Sequence, residues 1–336
     1  MKIDIHTHIM PEKMPNWTKK FGYGEFIHLE ERNCKACMMK GDRVFREVDK
    51  NTFDPGIRKE ECRHTGVNVQ VLSTIPVLFN YWAKPADALD TSRFFNDHIA
   101  ETAANDPASF IGIGTVPLQD VDLSIREMER CVKELSMPGL EIGTNVNGSN
   151  LGEKEFFPFY EAAEQLGCAL FIHPWEMMGE QQMEKYWLPW LVGMPAETTR
   201  AICSLIFGGV MERFPRLRLA FAHGGGSFPY TIGRIEHGYH VRPDLVQRDN
   251  SVNPADYLGR FWVDSLVHDP AAFHFLLNKM GEDRICLGSD YPFPLGEHRP
   301  GELIEQLPLS SDTKEKLLFS NALAWLNLPA SSVKQA

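Results

Sequence analysis

Residues 3–8 read Ile3-Asp4-Ile5-His6-Thr7-His8, a short apolar run that ends in two imidazoles. The run is too short for a helix, and its β-branched residues suit a strand. Seven more runs of this kind follow, at 69–72, 110–114, 139–142, 169–172, 217–222, 261–263 and 284–287. Apolar runs without alternation suit parallel strands buried on both faces. Between them lie helical spacings such as 86–104, 123–135, 155–166, 196–211 and 271–280, with a last one near 311–326. Strand and helix thus alternate eight times. That order predicts an α/β fold of the (β/α)8 TIM-barrel type rather than an open doubly wound sheet.

One domain should cover residues 1–328, followed by a small, polar, disordered tail at 329–336. The stretch at about 10–52 is too long for a strand-to-helix loop and contains alternating runs at 26–29 and 43–48. It reads as a small inserted hairpin lobe after the first strand, covering the barrel mouth. A second long loop, 174–195, carries Trp175, Trp187 and Trp190 and has the make-up of a lid.

In barrels of this type the active site forms at the carboxyl ends of the strands. Here those ends carry His6 and His8, Ser73 and Thr74, Thr115, Thr144, His173, His223, Asp264, and Ser289 with Asp290. Residues two apart on a strand share a face, so His6 and His8 both aim into the mouth. With His173 and Asp290 they supply three nitrogens and one carboxylate oxygen. Such a set suits one divalent ion, zinc first, with room left for water. Taken singly, a His-x-His is more often a surface pair, a core histidine is more often satisfied, and a strand-end aspartate often caps a helix. None of these readings accounts for four such residues at strand ends.

His223 is followed by Gly224, Gly225 and Gly226, whose amides suit an anion-binding nest. It reads as a fifth ligand or as a free acid/base. The fourth strand, Gly139-Leu140-Glu141-Ile142-Gly143, offers no lysine to bridge a second ion. One zinc per subunit is therefore expected, with His223 left to move protons.

Composition narrows the partners. The 336 residues hold 34 basic and 45 acidic side chains, a net charge of -11 that argues against nucleic acid. A small anionic substrate is still compatible, because a few arginines in a pocket override the global field. Hydrophobic residues make up 43% and charged residues 24%, ordinary for a globular protein with a sizeable core. No run of 18 apolar residues exists to span a membrane, and no signal peptide is recognisable, so a cytoplasmic protein is expected. The seven cysteines read as buried, reduced thiols, Cys34 and Cys37 of the single C-x-x-C included.

His-x-His on the first strand, histidines on the fifth and sixth and aspartate on the eighth resemble the amidohydrolase superfamily over nearly the whole chain. Longer segments are similar to one family within it, the α-amino-β-carboxymuconate-ε-semialdehyde decarboxylases of tryptophan (kynurenine) catabolism. They are His173-Pro174-Trp175, Trp187-Leu188-Pro189-Trp190 with Met194-Pro195-Ala196-Glu197-Thr198, His223-Gly224-Gly225-Gly226, and Gly288-Ser289-Asp290-Tyr291-Pro292-Phe293-Pro294-Leu295-Gly296-Glu297. The resemblance implies zinc on His6, His8, His173 and Asp290, catalysis by His223 with Asp290, and substrate contacts from Arg46, Trp190 and Arg234. It also implies a homodimer, because that family's Gly-Arg arginine, here Arg234, reaches into the neighbouring subunit's site. The implied reaction is oxygen-independent loss of carbon dioxide from 2-amino-3-carboxymuconate 6-semialdehyde. A dicarboxylate of this kind suits guanidinium clamps, which pair with carboxylates through two parallel hydrogen bonds.

Without the resemblance, Arg46 and Arg234 would read as surface ion pairs and Trp190 as a core aromatic. Three rival readings use the same ligands: a decarboxylase of hydroxylated aromatic acids using manganese, an amide or lactone hydrolase, and a silent metal-binding scaffold. Release of carbon dioxide without net uptake of water separates the first from the second.

Overall fold

The computed structural model describes residues 1–32 and 35–333. Strand β1 (Ile3–His8) is followed by an antiparallel meander of β2 (Ile27–Arg32), β3 (Lys35–Lys40) and β4 (Arg43–Val48). Next come β5 (Val69–Ser73), β6 (Phe110–Gly112) and β7 (Gly139–Gly143), then the two-residue strands β8 (Asn145–Val146) and β9 (Ser149–Asn150). The last four are β10 (Ala169–His173), β11 (Leu219–Phe221), β12 (Trp262–Asp264) and β13 (Ile285–Cys286). One parallel group runs β1-β5-β6 and the other β7-β10-β11-β12-β13. Bridges at Thr7–Tyr291 and Gly114–Leu140 join the groups at both seams. Across one seam Ile5 N–H donates to Leu287 C=O at 2.9 Å, and across the other Gly114 N–H donates to Gly139 C=O at 3.0 Å. The ring closes. It is the barrel of parallel strands that the sequence predicts.

Helices Pro85–Asn105, Val121–Lys133, Phe157–Leu166, Met194–Phe207 and Pro270–Met280 fall close to their expected ranges. The crossover helix Pro55–Thr65 has little periodic signal, since Ile57 and Cys62 are its main apolar residues. Its ends define it instead. The Asp54 side chain accepts from the Gly56 and Ile57 amides, Pro55 takes the first turn, and Gly66 closes the helix at φ 75°.

Ile3, Ile5, Val69, Val71, Ala169 and Phe171 fill the barrel interior, and Trp325 packs beneath them. Leu140, Ile142, Leu170 and Ile172 face the outer helices. A bulge in β1 modifies this alternation: Asp4 pairs with Gln70 but Thr7 with Leu72, two residues standing opposite one. Ile5 and its neighbour His6 therefore both turn inward, and the alternation resumes so that His6 and His8 share the mouth.

The inserted lobe has three strands where the alternating runs point to a two-stranded hairpin. The extra strand is β3, in which Cys37, Met38 and Met39 are buried in succession. That sequence of buried neighbours hides a period of two. Its cause is a second bulge: Met38 faces Arg46 and Met39 faces Val44, which leaves Phe45 unopposed. Phe45 and Arg46 would ordinarily point to opposite faces, yet both line the pocket below the lobe. Met10, Ile27, Met38, Ile75 and Val77 seat the lobe on the barrel.

Cys34 lies outside the described residues, as do 334–336. Within the tail expected to be disordered, Ala330–Ser332 form a 3-10 turn and Val333 packs against the barrel's lower core. Among the described residues no helix is long and apolar enough to cross a membrane.

Candidate metal centre and active site

The ends of β1 and β10 and the turn after β13 bring His6, His8, His173 and Asp290 together. One ligand atom from each lies within 4.8 Å of the others, and all four residues are buried. Each Nδ1 is engaged away from the centre, His6 with Asp264 Oδ2 at 2.6 Å, His8 with Thr74 C=O at 2.8 Å and His173 with Pro174 C=O at 2.9 Å. Carbonyl oxygens only accept, so Nδ1 of His8 and of His173 donates and the Nε2 lone pair is left free.

All three Nε2 atoms are buried without a hydrogen-bond partner. Each such orphan costs about 1–3 kcal/mol. A cation between them would satisfy all three at once. Asp290 Oδ1 closes the group, 3.2 Å from His8 Nε2 and 3.5 Å from His6 Nε2. Burial lowers the pKa of His8 and drives that of His173 well below its ordinary value, so both keep the neutral form that ligates. Burial alone would raise Asp290, but His223, His8 and His6 outweigh it and hold the carboxyl well below the usual range. The donor set fits a divalent metal.

Asp264, at the end of β12, organises one side of this centre. Its Oδ2 faces His6 Nδ1 and accepts the His223 backbone N–H at 2.9 Å, while Oδ1 accepts the Gly224 and Leu266 N–H groups at 2.7 and 3.1 Å. The glycine nest expected for an external anion is thus filled by the chain's own carboxylate. Gly225 and Gly226 donate to Ala222 C=O and His223 C=O. What the glycines permit is the left-handed turn that presents His223, itself at φ 57°. A Cβ at Gly288 would stand 2.6 Å from Asp264 Cβ and 2.9 Å from His6 Cβ, so only glycine lets the last strand close on the centre.

His223 stands beside the four residues rather than among them. Its ring is 5.2 Å from those of His6 and His173, and its Nε2 is 3.9 Å from Asp290 Oδ2. Neither ring nitrogen has a hydrogen-bond partner. Burial opposes its charge, but the Asp290 and Asp264 carboxylates prevail and raise its pKa. A histidine so placed, unpartnered and beside a carboxylate, can hold and pass on a proton.

Above the centre the pocket is lined by Arg46, Trp175, Trp187, Trp190 and Phe293, among others. The Arg46 guanidinium lies 4.7 Å over the Phe293 ring and 5.8 Å over Trp190. Among the described residues no carboxylate lies within ion-pair distance of it. The surface ion-pair reading of Arg46 therefore falls away, and Trp190 is half-buried on the pocket wall. Arg234 sits on the exposed side of helix Phe228–Val241, outside its own chain's pocket. Trp175, expected only as part of a lid, and Asp264, expected only as a strand end, here wall the pocket and hold His6 respectively, and Phe293 joins them without any individual expectation.

The amidohydrolase family pattern matches residues 3–328. The chain belongs to the amidohydrolase family. This amidohydrolase is 56% identical, over 98% of its chain, to the 2-amino-3-carboxymuconate-6-semialdehyde decarboxylase of Dictyostelium discoideum, covering 92% of that protein. It is 38% identical over 97% of its chain to the protein of the same name from Caenorhabditis elegans, covering 94% of it. The same fold occurs in 5-carboxyvanillate decarboxylase from Novosphingobium aromaticivorans, solved with manganese and 4-hydroxy-3-methoxy-5-nitrobenzoic acid. That match has a TM-score of 0.82 at 23% identity and covers 98% of this chain and 96% of the other. The resemblance drawn from the motifs stands at both levels.

Proposed function

We propose that the protein is a zinc-dependent decarboxylase of tryptophan catabolism, acting in the cytosol. It would convert 2-amino-3-carboxymuconate 6-semialdehyde to 2-aminomuconate 6-semialdehyde. The observation that carries this reading is the 56% identity, over 98% of the chain, to a decarboxylase of that substrate. The site chemistry supports it. Three imidazoles and one carboxylate favour zinc over manganese, which prefers a richer oxygen shell.

His6, His8, His173 and Asp290 would hold the ion. When bound, it supplies a Lewis acid and a water of depressed pKa. The other roles belong to side chains. Arg46, unpaired and backed by aromatic faces, holds a substrate carboxylate through paired N–H groups. The Trp175, Trp187 and Trp190 walls exclude bulk water and favour departure of a neutral gas over retention of a charged carboxylate. His223 Nε2 delivers a proton to the carbon bearing the departing carboxylate. The carboxylate leaves as carbon dioxide and hydrogen takes its place, with neither oxygen nor net water consumed.

The same reading makes the protein a homodimer in which Arg234 serves the partner's site. A recess beside His223 is lined by Leu191, Tyr230, Leu266 and Val267. Leu191 and Tyr230 are 48% and 45% exposed, apolar surface that a second copy would cover. Arg234 is one turn beyond Tyr230 on the same helix face.

The test is turnover of freshly generated semialdehyde by zinc-loaded protein without oxygen. The expected result is loss of its near-ultraviolet absorbance with one carbon dioxide released per substrate. Inertness toward it together with turnover of a hydroxylated benzoate, or consumption of water without carbon dioxide, would overturn the reading.

A further inference from the structure

Arg58 is fully buried in helix Pro55–Thr65 and does not line the pocket. Burying a cation is costly unless an opposite charge compensates. Among the described residues, however, no carboxylate lies within ion-pair distance of this one. Its acceptors are neutral: His8 C=O at 2.7 Å, Asn51 C=O at 3.0 Å and Gln70 Oε1 at 3.2 Å. The guanidinium also lies 4.7 Å over the Tyr291 ring. A methionine or leucine would fill this space without desolvating a charge but would leave these acceptors unpaired, so the reason for arginine lies in the groups it joins.

His8 ends β1, and its N–H donates to Tyr291 C=O at 2.8 Å, directly after Asp290. Asp290 itself is held at φ 58°, a conformation that persists only where the surroundings fix it. Asn51 lies just past β4, the strand that presents Arg46, and the adjacent Thr52 C=O accepts the Met10 N–H at 3.1 Å. One planar side chain thus touches the segment carrying His8, the turn carrying Asp290 and the return of the lobe carrying Arg46.

We infer that Arg58 is a positioning residue that sets the His8 and Asp290 ends against each other and against the Arg46 strand. The inference rests on the metal centre proposed above and not on the identity of the substrate.

The experiment uses cobalt(II) as a spectroscopic probe on the full chain, with Arg218→Met as a matched control. Arg218 also binds two carbonyls, of Gly167 and of Trp325 at 2.7 Å, but at the opposite end of the barrel. Both Arg58→Met and Arg218→Met should lower the melting temperature. Arg58→Met alone should weaken cobalt binding about 10- to 100-fold and change its visible bands, the range seen when a ligand's outer support is removed. Arg58→Lys, which keeps a donor but not the planar fork, should fall between. A natural spectrum and affinity in Arg58→Met, with only the melting temperature lowered, would overturn the inference. If that variant does not fold, the same result in Arg58→Lys overturns it. Failure of the unaltered protein to bind cobalt would refute the metal centre itself.

Discussion

Replacing His223 by alanine should leave one metal per subunit and lower kcat by about 10²- to 10⁴-fold, the range for a lost general acid/base. The geometry separates the two functions. His6, His8, His173 and Asp290 converge within 4.8 Å, whereas His223 Nε2 stands 3.9 Å from the outer oxygen of Asp290 with both ring nitrogens unpartnered. Removing it takes away a proton donor and leaves the donor set intact. Its backbone N–H on Asp264 survives the substitution, so the support of His6 should survive too. Metal content and steady-state rates measured on one preparation decide the point. Loss of the metal along with activity would make His223 a ligand.

Mixing two inactive variants should restore activity. Arg46→Ala and Arg234→Ala each remove one proposed partner of a substrate carboxylate. Truncating one member of a buried charge pair costs about 2–5 kcal/mol, so kcat/KM should fall roughly 30-fold or more in each. In a homodimer with shared sites, the mixed dimer has one site lacking both arginines and one lacking neither. Random exchange makes half the dimers mixed, so about a quarter of the original activity should return. Were Arg234 to serve its own chain, every site would lack one arginine and mixing would gain nothing. The exposed position of Arg234 is what makes the first outcome the expected one. Native mass spectrometry must show that subunits have exchanged before rates are compared.

The barrel and its centre were legible for a physical reason. Strands buried on both faces must be apolar throughout, so a histidine or aspartate at their ends stands out, as His173 does after Phe171 and Ile172. Asp264 also stood at a strand end, but nothing in the sequence tells that its carboxylate folds back onto His6 and the His223 turn. The reading of Gly224–Gly226 as an anion nest went astray for that reason: the anion is already within the chain. The strand Lys35–Lys40 was hidden by the bulge that buries Met38 and Met39 together. Arg58 was hidden by its helix, whose polar sequence gives no sign that one cation is buried beneath two ligand-bearing turns.

The most direct test follows metal and rate together through removal and return. Dialysis against a chelator should yield folded, inactive protein, and one equivalent of zinc per chain should bring back the original decarboxylation rate. Full activity in protein shown to contain no metal would contradict the account at its base.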